Sequence, residues 1–331
     1  MTKIAILGAG SIGCWIGGHL AAGGADVVLI GRQYYADQIE QNGLTLTHFS
    51  RETIHLPEVA FMILVDALAD ADIIALCTKS QDTELAAQQI IAKAKSDVTI
   101  VSFQNGIRNA ETLYAHLPKS MTIIPAIVPF NVTPDGAGQF HSGTDGKLIF
   151  GAPIPAITEA LHLTGQGFEL SENIEGDQWA KMIVNLNNGL NTLTGTTLRK
   201  SLYQKDYRRA LAACVSEALE IAAARNIRVG RFNGRSPAAL VKTLHLPNWA
   251  YRLVMQFIVK IDDQARSSML DDLEAGRASE IEYLHGEIMR QAKMVGLTAP
   301  KNETIRTAVD TAFKAGKSPY LSGTDIMNLI S

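Results

Sequence analysis

Three glycines near the start of the chain restrict the fold more than any other feature. Gly8, Gly10 and Gly13 form a GxGxxG motif directly after the apolar run KIAIL and directly before a helical pattern. The first glycine permits a tight turn, the second lets phosphates approach the backbone, and the third lets the helix pack on the strand. The first N–H groups of the helix, around Ser11 and Ile12, then point at those phosphates. The motif therefore predicts a βαβ unit that binds a dinucleotide.

The end of the second strand indicates which dinucleotide is bound. The run ADVVLI is followed by Gly31, Arg32 and Gln33. Proteins that prefer NAD commonly place Asp or Glu here, to accept hydrogen bonds from the ribose 2′-hydroxyl. The guanidinium of Arg32 instead fits the 2′-phosphate of NADP, with which it can form two parallel hydrogen bonds. We therefore expect NADP(H), with an arginine that merely solvates a strand end as the alternative.

The first half of the chain has the pattern of a parallel sheet covered by helices. Short β-branched apolar runs alternate there with amphipathic stretches. The predicted elements are strands at 3–7, 26–30, 72–77, 99–103 and 122–127, a hairpin-like pair at 139–141 and 147–150, and helices at 12–23 and 83–94.

The second half of the chain is predicted to be helical. Strand patterns end near residue 172, and the predicted helices cover 177–193, 207–225, 249–266, 279–295 and 303–315. The fold class is thus an α/β Rossmann domain over 1–172, which binds the cofactor, and an all-α domain over 173–331.

The composition favours a two-domain globular protein with small-molecule partners. The chain has 331 residues, 47% of them hydrophobic, and a net charge of −3. This length exceeds what one core usually serves, and the charge gives no reason to expect nucleic acid or an anionic membrane as a partner. No run reaches the ~18 apolar residues of a membrane span, and no signal-peptide pattern is visible. We expect a cytoplasmic protein whose partners are small molecules or a second copy, as a homodimer.

The cysteines and histidines do not form a metal-binding pattern. Cys14, Cys77 and Cys214 are isolated in the sequence, so they indicate neither a disulfide framework nor a paired zinc motif. The eight histidines show no HxxxH or HExxH spacing. We therefore expect no metal site and a reducing compartment.

One predicted helix of the second half carries polar residues on an otherwise apolar surface. Lys181, Asn185 and Asn188 recur at i, i+4 and i+7 and share a face. Burying an unpaired ammonium or amide is costly. This face is therefore predicted to line a cleft, with an ordinary exposed polar stripe as the alternative.

A second polar segment, ASEIEYLHGEI, contains Ser279, Glu280 and Glu282. Ser279 could cap a helix that has both glutamates in its first turn, where carboxylates complement the helix dipole. Capping alone would explain these residues, and a functional role for Glu280 is equally compatible with the sequence.

Five ordered motifs resemble those of the ketopantoate reductase family, also called the 2-dehydropantoate 2-reductases. They are GAGSIG near the start, CTKSQDT at 77–83, QNG at 104–106 followed by Glu111, WAKMIVN at 179–185, and SSMLDDLEAGRASEIEYLHG at 267–286. The resemblance covers nearly the whole chain. It implies an N-terminal Rossmann domain, a helical domain like the C-terminal domain of 6-phosphogluconate dehydrogenase that serves substrate binding and dimerisation over 173–331, and an active site between the two.

The resemblance also implies a reaction, the reduction of 2-dehydropantoate to (R)-pantoate by NADPH on the way to pantothenate and coenzyme A. By their place in the motifs, Lys181 would be the general acid and Glu280 the carboxylate that positions the substrate. Further contacts with substrate or cofactor would come from Asn105, Asn185, Ser268 and, near the nicotinamide, Lys79.

The chemistry of a 2-oxo acid requires residues of these types. Hydride addition leaves negative charge on the carbonyl oxygen, which a nearby ammonium can stabilise and then protonate. Burial would lower the pKa of Lys181 toward the working pH, and the charge of Glu280 would oppose that shift. Asparagine side chains can hold a carboxylate and a hydroxyl without adding charge.

Two positions depart from the family pattern where substrate contacts are expected. Gly189 stands where many members have a second asparagine, and Ala265 stands where some have one. Asn188 or Asn191 could replace the first asparagine, and the second has no evident replacement. The alternatives are therefore a paralogous NADPH-dependent reductase of another 2-oxo acid, or a non-catalytic NADP(H)-binding protein. The segment 225–263, longer than in compact members, could cover the cleft or build a subunit interface.

Overall fold

The computed structural model describes residues 2–258 and 265–331, except for the side chains of 255–258. The chain divides into two compact units, Met1–Ile174 and Glu175–Ser331. Within the described ranges, no helix combines the length and the apolar character needed to cross a lipid bilayer.

Over the described residues 2–174, the first unit contains twelve strands and five α-helices. The strands are β1 (Lys3–Leu7), β2 (Asp26–Ile30), β3 (Leu44–His48), β4 (Ile54–Leu56), β5 (Ala60–Met62), β6 (Ile73–Leu76), β7 (Thr99–Ser102), β8 (Thr122–Ile127), β9 (Val132–Gly136), β10 (Gln139–Ser142), β11 (Leu148–Phe150) and β12 (Phe168–Leu170). The helices are α1 (Ser11–Ala22), α2 (Gln33–Asn42), α3 (Thr83–Lys93), α4 (Arg108–His116) and α5 (Pro155–Leu163).

Eight of these strands form one sheet, in the order β12-β11-β8-β7-β6-β1-β2-β5. The six strands from β8 to β5 are parallel, and β11 runs antiparallel to β8. Strand order reverses between β1 and β6, and in sheets of this kind ligands bind beyond the carboxyl ends of the strands at such a reversal. The sheet therefore brings the residues that follow β1, β2, β6 and β7 to one edge.

Alternate residues of the parallel strands pack against different layers, as expected for strands buried on both faces. Ile4 and Ile6 face the cluster that includes Trp15 of α1, whereas Ala5 and Leu7 face the cluster that includes Ile90 of α3. This double coverage confirms the predicted α/β class of the first unit.

A second sheet, which the sequence did not predict, covers α1. It has the order β4-β3-β10-β9. The hairpin-like pair predicted at 139–141 and 147–150 is wrong, because β10 pairs with β3 and β9 while β11 pairs with β8 and β12 of the main sheet. Strands β10 and β11 lie close in sequence, but they belong to different sheets.

The second unit is helical, as predicted. Its helices are α6 (Ile174–Thr194), α7 (Leu198–Leu202), α8 (Lys205–Ala224), α9 (Pro237–Leu244), α10 (Asn248–Ile258), α11 (Ser268–Glu274), α12 (His285–Met294), α13 (Pro300–Ala315) and α14 (Gly323–Leu329), with a 3-10 helix at Ile281–Tyr283. Helix α8 is central and packs against α7, α9, α12, α13 and α14.

Two predicted helices of this unit differ from the structure. The helix predicted at 249–266 is described as far as Ile258, and residues 259–264 lie outside the described residues. The helix predicted at 279–295 is interrupted at Leu284, where the backbone angles (φ −115, ψ −91) leave the helical region between the 3-10 helix and α12. After this interruption, the side chain of His285 is buried in the interior of the second unit.

The buried imidazole of His285 ties three helices of the second unit together. Its Nε2 lies 3.0 Å from the carbonyl oxygen of Leu186 in α6, and its Nδ1 lies 2.8 Å from Oδ1 of Asn302 in α13. The Nδ2 of Asn302 in turn donates to Glu217 of α8 at 2.7 Å. Burial lowers the pKa of His285 to about 4, although the contacts with Leu186 and Asn302 oppose this shift.

We expect the stability of the second unit to depend on pH through His285. The folded state holds its imidazole neutral, so between the ordinary pKa of 6.5 and the folded value of about 4 the unfolded chain binds more protons. The free energy of unfolding should therefore fall as pH drops from 7 to 4, by up to about 3 kcal/mol from this residue. Urea denaturation of the protein and of a His285→Asn variant at several pH values measures this contribution as a shallower pH dependence in the variant.

A His245→Asn variant, changed at an exposed histidine after α9, serves as the control and should keep the pH dependence of the unchanged protein. Equal pH dependence in the His285→Asn variant and the unchanged protein would contradict the prediction.

Candidate functional site

The glycine loop joins β1 to α1 with almost no free space around two of its glycines. Gly8 has a φ of +101°, and a Cβ there would lie 2.6 Å from the backbone nitrogen of Thr78. A Cβ on Gly13 would lie 2.4 Å from the carbonyl oxygen of Gly8. At Gly10 the backbone is open, since no described atom lies within 4 Å of such a Cβ.

The loop therefore has the geometry of a phosphate cradle. The N–H groups of a helix's first turn have no partner within the helix and attract anions. Ser11 and Ile12 begin α1 and are partly exposed, so their N–H groups can hold a pyrophosphate that approaches across Gly10. These residues fit a dinucleotide.

Arg32 lies at the same edge of the sheet. The backbone N–H groups of Gly8 and Ala9 donate to the carbonyl oxygen of Ile30 at 3.0 and 2.8 Å, which fixes the end of β2 beside the loop. Arg32 is exposed at the position that precedes α2, and its guanidinium lies 5.5 Å from the ring centre of Tyr35. A cation at this position can bind an anionic group on the ribose.

Lys79 and Asn105 lie beyond β6 and β7, and a buried polar network connects their loops. The carbonyl oxygen of Asn105 accepts hydrogen bonds from Ser80 at 2.8 Å and from Nδ2 of Asn109 at 2.5 Å. Nε2 of Gln104 contacts Thr83 at 2.9 Å and the carbonyl oxygen of Lys79 at 3.4 Å. Lys79 is partly exposed and Asn105 is exposed.

The side chains that form this network were not predicted from the sequence as site residues. The available indication was position alone: Ser80 and Thr83 lie in the motif CTKSQDT and Gln104 lies in QNG, and both motifs follow apolar strands, whereas Asn109 lies in α4. The network members are Ser80, Thr83, Gln104 and Asn109.

The asparagines of α6 separate into two groups. Asn185 and Asn188 are partly exposed, as is Lys181 on the same helix. Asn191 is fully buried and bonds to the backbone of Thr196 and Ser267. It cannot replace a missing substrate contact, contrary to one of the expectations from the sequence.

Lys181 and Glu280 form an electrostatic pair. Burial lowers the pKa of Lys181 to about 8, and the negative charge of Glu280 opposes the shift. Both effects have the direction expected from the sequence. At neutral pH the ammonium is therefore protonated and close to its pKa, which is the condition that favours proton transfer.

The structure distinguishes Glu280 from its neighbours. Oγ of Ser279 accepts the N–H of Ile281 at 3.1 Å, so the serine provides the cap. Glu282 pairs with Arg306 of α13. Among the described residues, Glu280 makes no side-chain capping bond to the 3-10 helix, so capping does not explain it.

Gly189, which was expected to mark a lost substrate contact, faces the interior of the second unit. It is buried, and a Cβ there would lie 2.7 Å from Nε2 of His285 and 3.1 Å from Cδ1 of Ile281. The absence of a side chain at this position makes room for the imidazole that bonds to Leu186.

Ser268 and Ala265 flank the start of α11. Ser267 caps this helix, with Oγ accepting the N–H of Leu270 at 3.3 Å, and leaves Ser268 exposed as the first helical residue. The carbonyl oxygen of Ala265 accepts the N–H of Leu198 at 2.8 Å.

Over residues 2–258 and 265–331, no group of three or more His, Cys, Asp or Glu side chains forms a metal-binding cluster.

Comparisons with known proteins match the chain along most of its length. Residues 4–154 match the family model described as ketopantoate reductase PanE/ApbA, and residues 173–312 match the model of the C-terminal part of the same family. The 2-dehydropantoate 2-reductase of Pyrococcus horikoshii is 31% identical over 313 residues, which are 91% of this chain and 94% of that protein.

Solved structures agree with this relationship. The PanE/ApbA family ketopantoate reductase from Ralstonia eutropha JMP134 has a TM-score of 0.82 at 26% identity, covering 95% of this chain and 99% of that one. D-mandelate dehydrogenase with NADH and anilino(oxo)acetate has a TM-score of 0.79 at 22% identity, with the same coverage, and shows a shared fold. The chain belongs to the ketopantoate reductase family and is an oxidoreductase of that family.

Proposed function

We propose that this protein reduces 2-dehydropantoate to (R)-pantoate with NADPH, in the biosynthesis of pantothenate and coenzyme A. The observation that carries the proposal is the pairing of Lys181 with Glu280, which holds a protonated ammonium with a pKa of about 8 on the helix that also presents Asn185 and Asn188. Relatives named 2-dehydropantoate 2-reductase support the choice of substrate.

The proposed reaction needs a hydride and a proton. A nicotinamide cofactor held by the glycine loop would supply the hydride for the C2 carbon of the 2-oxo acid. The electron pair of the carbonyl bond moves to oxygen, and Nζ of Lys181 stabilises this charge and donates its proton to the oxygen. The neutral amine then regains a proton from water. Glu280 keeps the pKa of Lys181 higher than burial alone would allow.

The polar side chains near the lysine have a recognition role in this proposal. Asn185 and Asn188 each offer an amide donor and an acceptor, which can hold the carboxylate and hydroxyl of the substrate without adding a charge to the site. Ser268 and Asn105 are exposed hydrogen-bonding side chains that can add contacts to substrate or cofactor.

We infer that the cofactor is NADP(H). Gly8, Gly10, Ser11, Ile12 and Gly13 provide the cradle for the pyrophosphate. Arg32 provides a cation where a carboxylate would repel a 2′-phosphate. Lys79, beyond β6, is proposed to lie near the nicotinamide.

A second candidate is the reduction of another 2-oxo acid by the same lysine. The alanine at 265 favours it, since it cannot supply an amide to the substrate. NADPH oxidation with a panel of 2-oxo acids separates the two candidates. Turnover of 2-dehydropantoate no faster than that of simple 2-oxo acids would favour the second, and no turnover at all would favour a non-catalytic NADP(H)-binding protein.

We expect a Lys181→Ala variant to lose at least about 100-fold in kcat, because a general acid typically contributes that much or more. NADPH binding, measured by fluorescence titration, should stay unchanged. A Lys200→Ala variant, at an exposed lysine of α7, is the matched control and should keep full activity. Activity within about threefold of the unchanged protein would rule out Lys181 as the acid.

The pH dependence of kcat should reflect the interaction between Lys181 and Glu280. Reduction needs a protonated Lys181, so kcat should fall as pH rises through about 8. A Glu280→Gln variant lacks the charge that raises this pKa, so its alkaline limb should move to lower pH. The matched change Glu282→Gln, next to Arg306, should leave the limb in place. A limb that stays or moves upward in Glu280→Gln would contradict the assignment.

Arg32→Gln should change cofactor preference. Loss of a charged hydrogen bond to phosphate should raise the KM for NADPH by about tenfold to 100-fold, with the KM for NADH nearly constant. Lys119→Gln, at an exposed lysine of the same unit, is the control. If both cofactors respond equally, or if the unchanged protein prefers NADH, the NADP(H) assignment fails.

A further inference from the structure

Asn191 lies in the last turn of α6, where its side chain is fully buried, as are those of Leu190 and Leu193. Asparagine is a poor residue for a helix interior, because its amide competes with the backbone for hydrogen bonds. Burying an amide without partners also costs free energy. The presence of asparagine at this position must therefore be explained by the contacts of its side chain.

Both polar atoms of the Asn191 side chain bond to groups outside α6. Nδ2 donates to the carbonyl oxygen of Thr196 at 2.9 Å and to Oγ of Ser201, in α7, at 3.2 Å. Oδ1 accepts the backbone N–H of Ser267 at 3.1 Å. A carbonyl only accepts and a backbone N–H only donates, so the amide can have only this orientation.

The two ends of the amide have different consequences. The bond from Nδ2 to Thr196 spans five residues and fixes the turn that follows α6. The bond between Oδ1 and Ser267 spans 76 residues, so it fixes a tertiary position instead. A side chain with a donor alone would be sufficient for the turn, and the acceptor is what connects α6 to the residues before α11.

Ser267 extends this connection to the start of α11. Its N–H is held by Asn191, and its Oγ lies 3.5 Å from the carbonyl oxygen of Asn188 in α6. Two residues earlier, the carbonyl oxygen of Ala265 is held by the N–H of Leu198. The backbone at 265–267 is thus fixed at both ends. The next residue is Ser268, the exposed first residue of α11.

We propose that Asn191 is a positioning residue for substrate binding, which holds Ser268 in place beside α6, the helix of Lys181, Asn185 and Asn188. The inference rests on the proposed function, in which Ser268 contacts the 2-oxo acid. Asn191 itself is buried and acts only through the backbone of Ser267. Misplacing a group that binds substrate and transition state equally raises KM and leaves kcat unchanged.

Steady-state kinetics with NADPH and 2-dehydropantoate, or the 2-oxo acid that is reduced fastest in the panel, test the inference. Asn191→Leu keeps the branched shape of the side chain and removes Oδ1. We expect the KM for the 2-oxo acid to rise by about tenfold, as for one lost hydrogen bond. The kcat and the KM for NADPH should stay within about twofold of the values of the unchanged protein. If Asn191→Leu does not fold, Asn191→Ala takes its place, since it also lacks Oδ1 and adds no atoms to the core.

Two further variants separate positioning from a general loss of stability. Ser201→Ala is the matched control, because it removes a buried hydroxyl that bonds to Nδ2 and leaves the bond to Ser267 intact. It should lower the Tm without changing the KM. Asn191→Asp keeps an acceptor oxygen for Ser267, so it should lower the Tm as well but restore the KM to within about threefold of the unchanged protein. Equal increases of KM in Ser201→Ala and Asn191→Leu would contradict the inference, as would an equal increase in Asn191→Asp.

A double-mutant cycle tests whether Asn191 acts through Ser268. Ser268→Ala alone should raise the KM by about tenfold. In that background Asn191→Leu should add less than about threefold, because both changes remove the same contact with the substrate. The inference is overturned by additive effects, or by an unchanged KM in either single variant. Absence of turnover of every 2-oxo acid by the unchanged protein would instead refute the proposed function, and the inference with it.

Discussion

The close approach of α1 to the turn after β1 is the contact on which the first unit depends. With 2.4 Å between a Cβ on Gly13 and the carbonyl oxygen of Gly8, only glycine allows the helix to start where it does. That start sets the direction of α1 across the sheet, and the small sheet with β3 and β10 is built on the outer side of the same helix. One backbone contact therefore positions both the sheet edge that carries the glycine loop and the small sheet that covers α1.

The fold could be predicted from the sequence where local patterns were sufficient. The strands β1, β2 and β8 have the predicted bounds, because each is a short apolar run between polar turns. The small sheet could not be found in this way, since the short strands β3 and β4 pair with each other while β3 also pairs with β10, far away in the chain. Such partners are set by tertiary packing rather than by hydrophobic periodicity.

In the candidate site too, some residues could be predicted from local sequence patterns and others depended on tertiary packing. The glycine loop, Arg32 and Lys181 were recognisable because their chemistry is unusual for their positions. The family resemblance assigned a role to Glu280, but the pairing of Glu282 with Arg306, from a different helix, could not be predicted from the sequence. Sequence alone also gave no means to separate the buried Asn191 from Asn185, because both have suitable helical spacing and only their surroundings differ.

The contact between Gly189 and His285 limits how the second unit can change over time. An asparagine introduced at 189 would collide with an imidazole that is already bonded to α6 and α13. Replacing the histidine first would remove its single N–H from whichever of two oxygens accepts it, the carbonyl of Leu186 or Oδ1 of Asn302. Neither single step is neutral, so we expect substitutions at the two positions to be tolerated only as a pair.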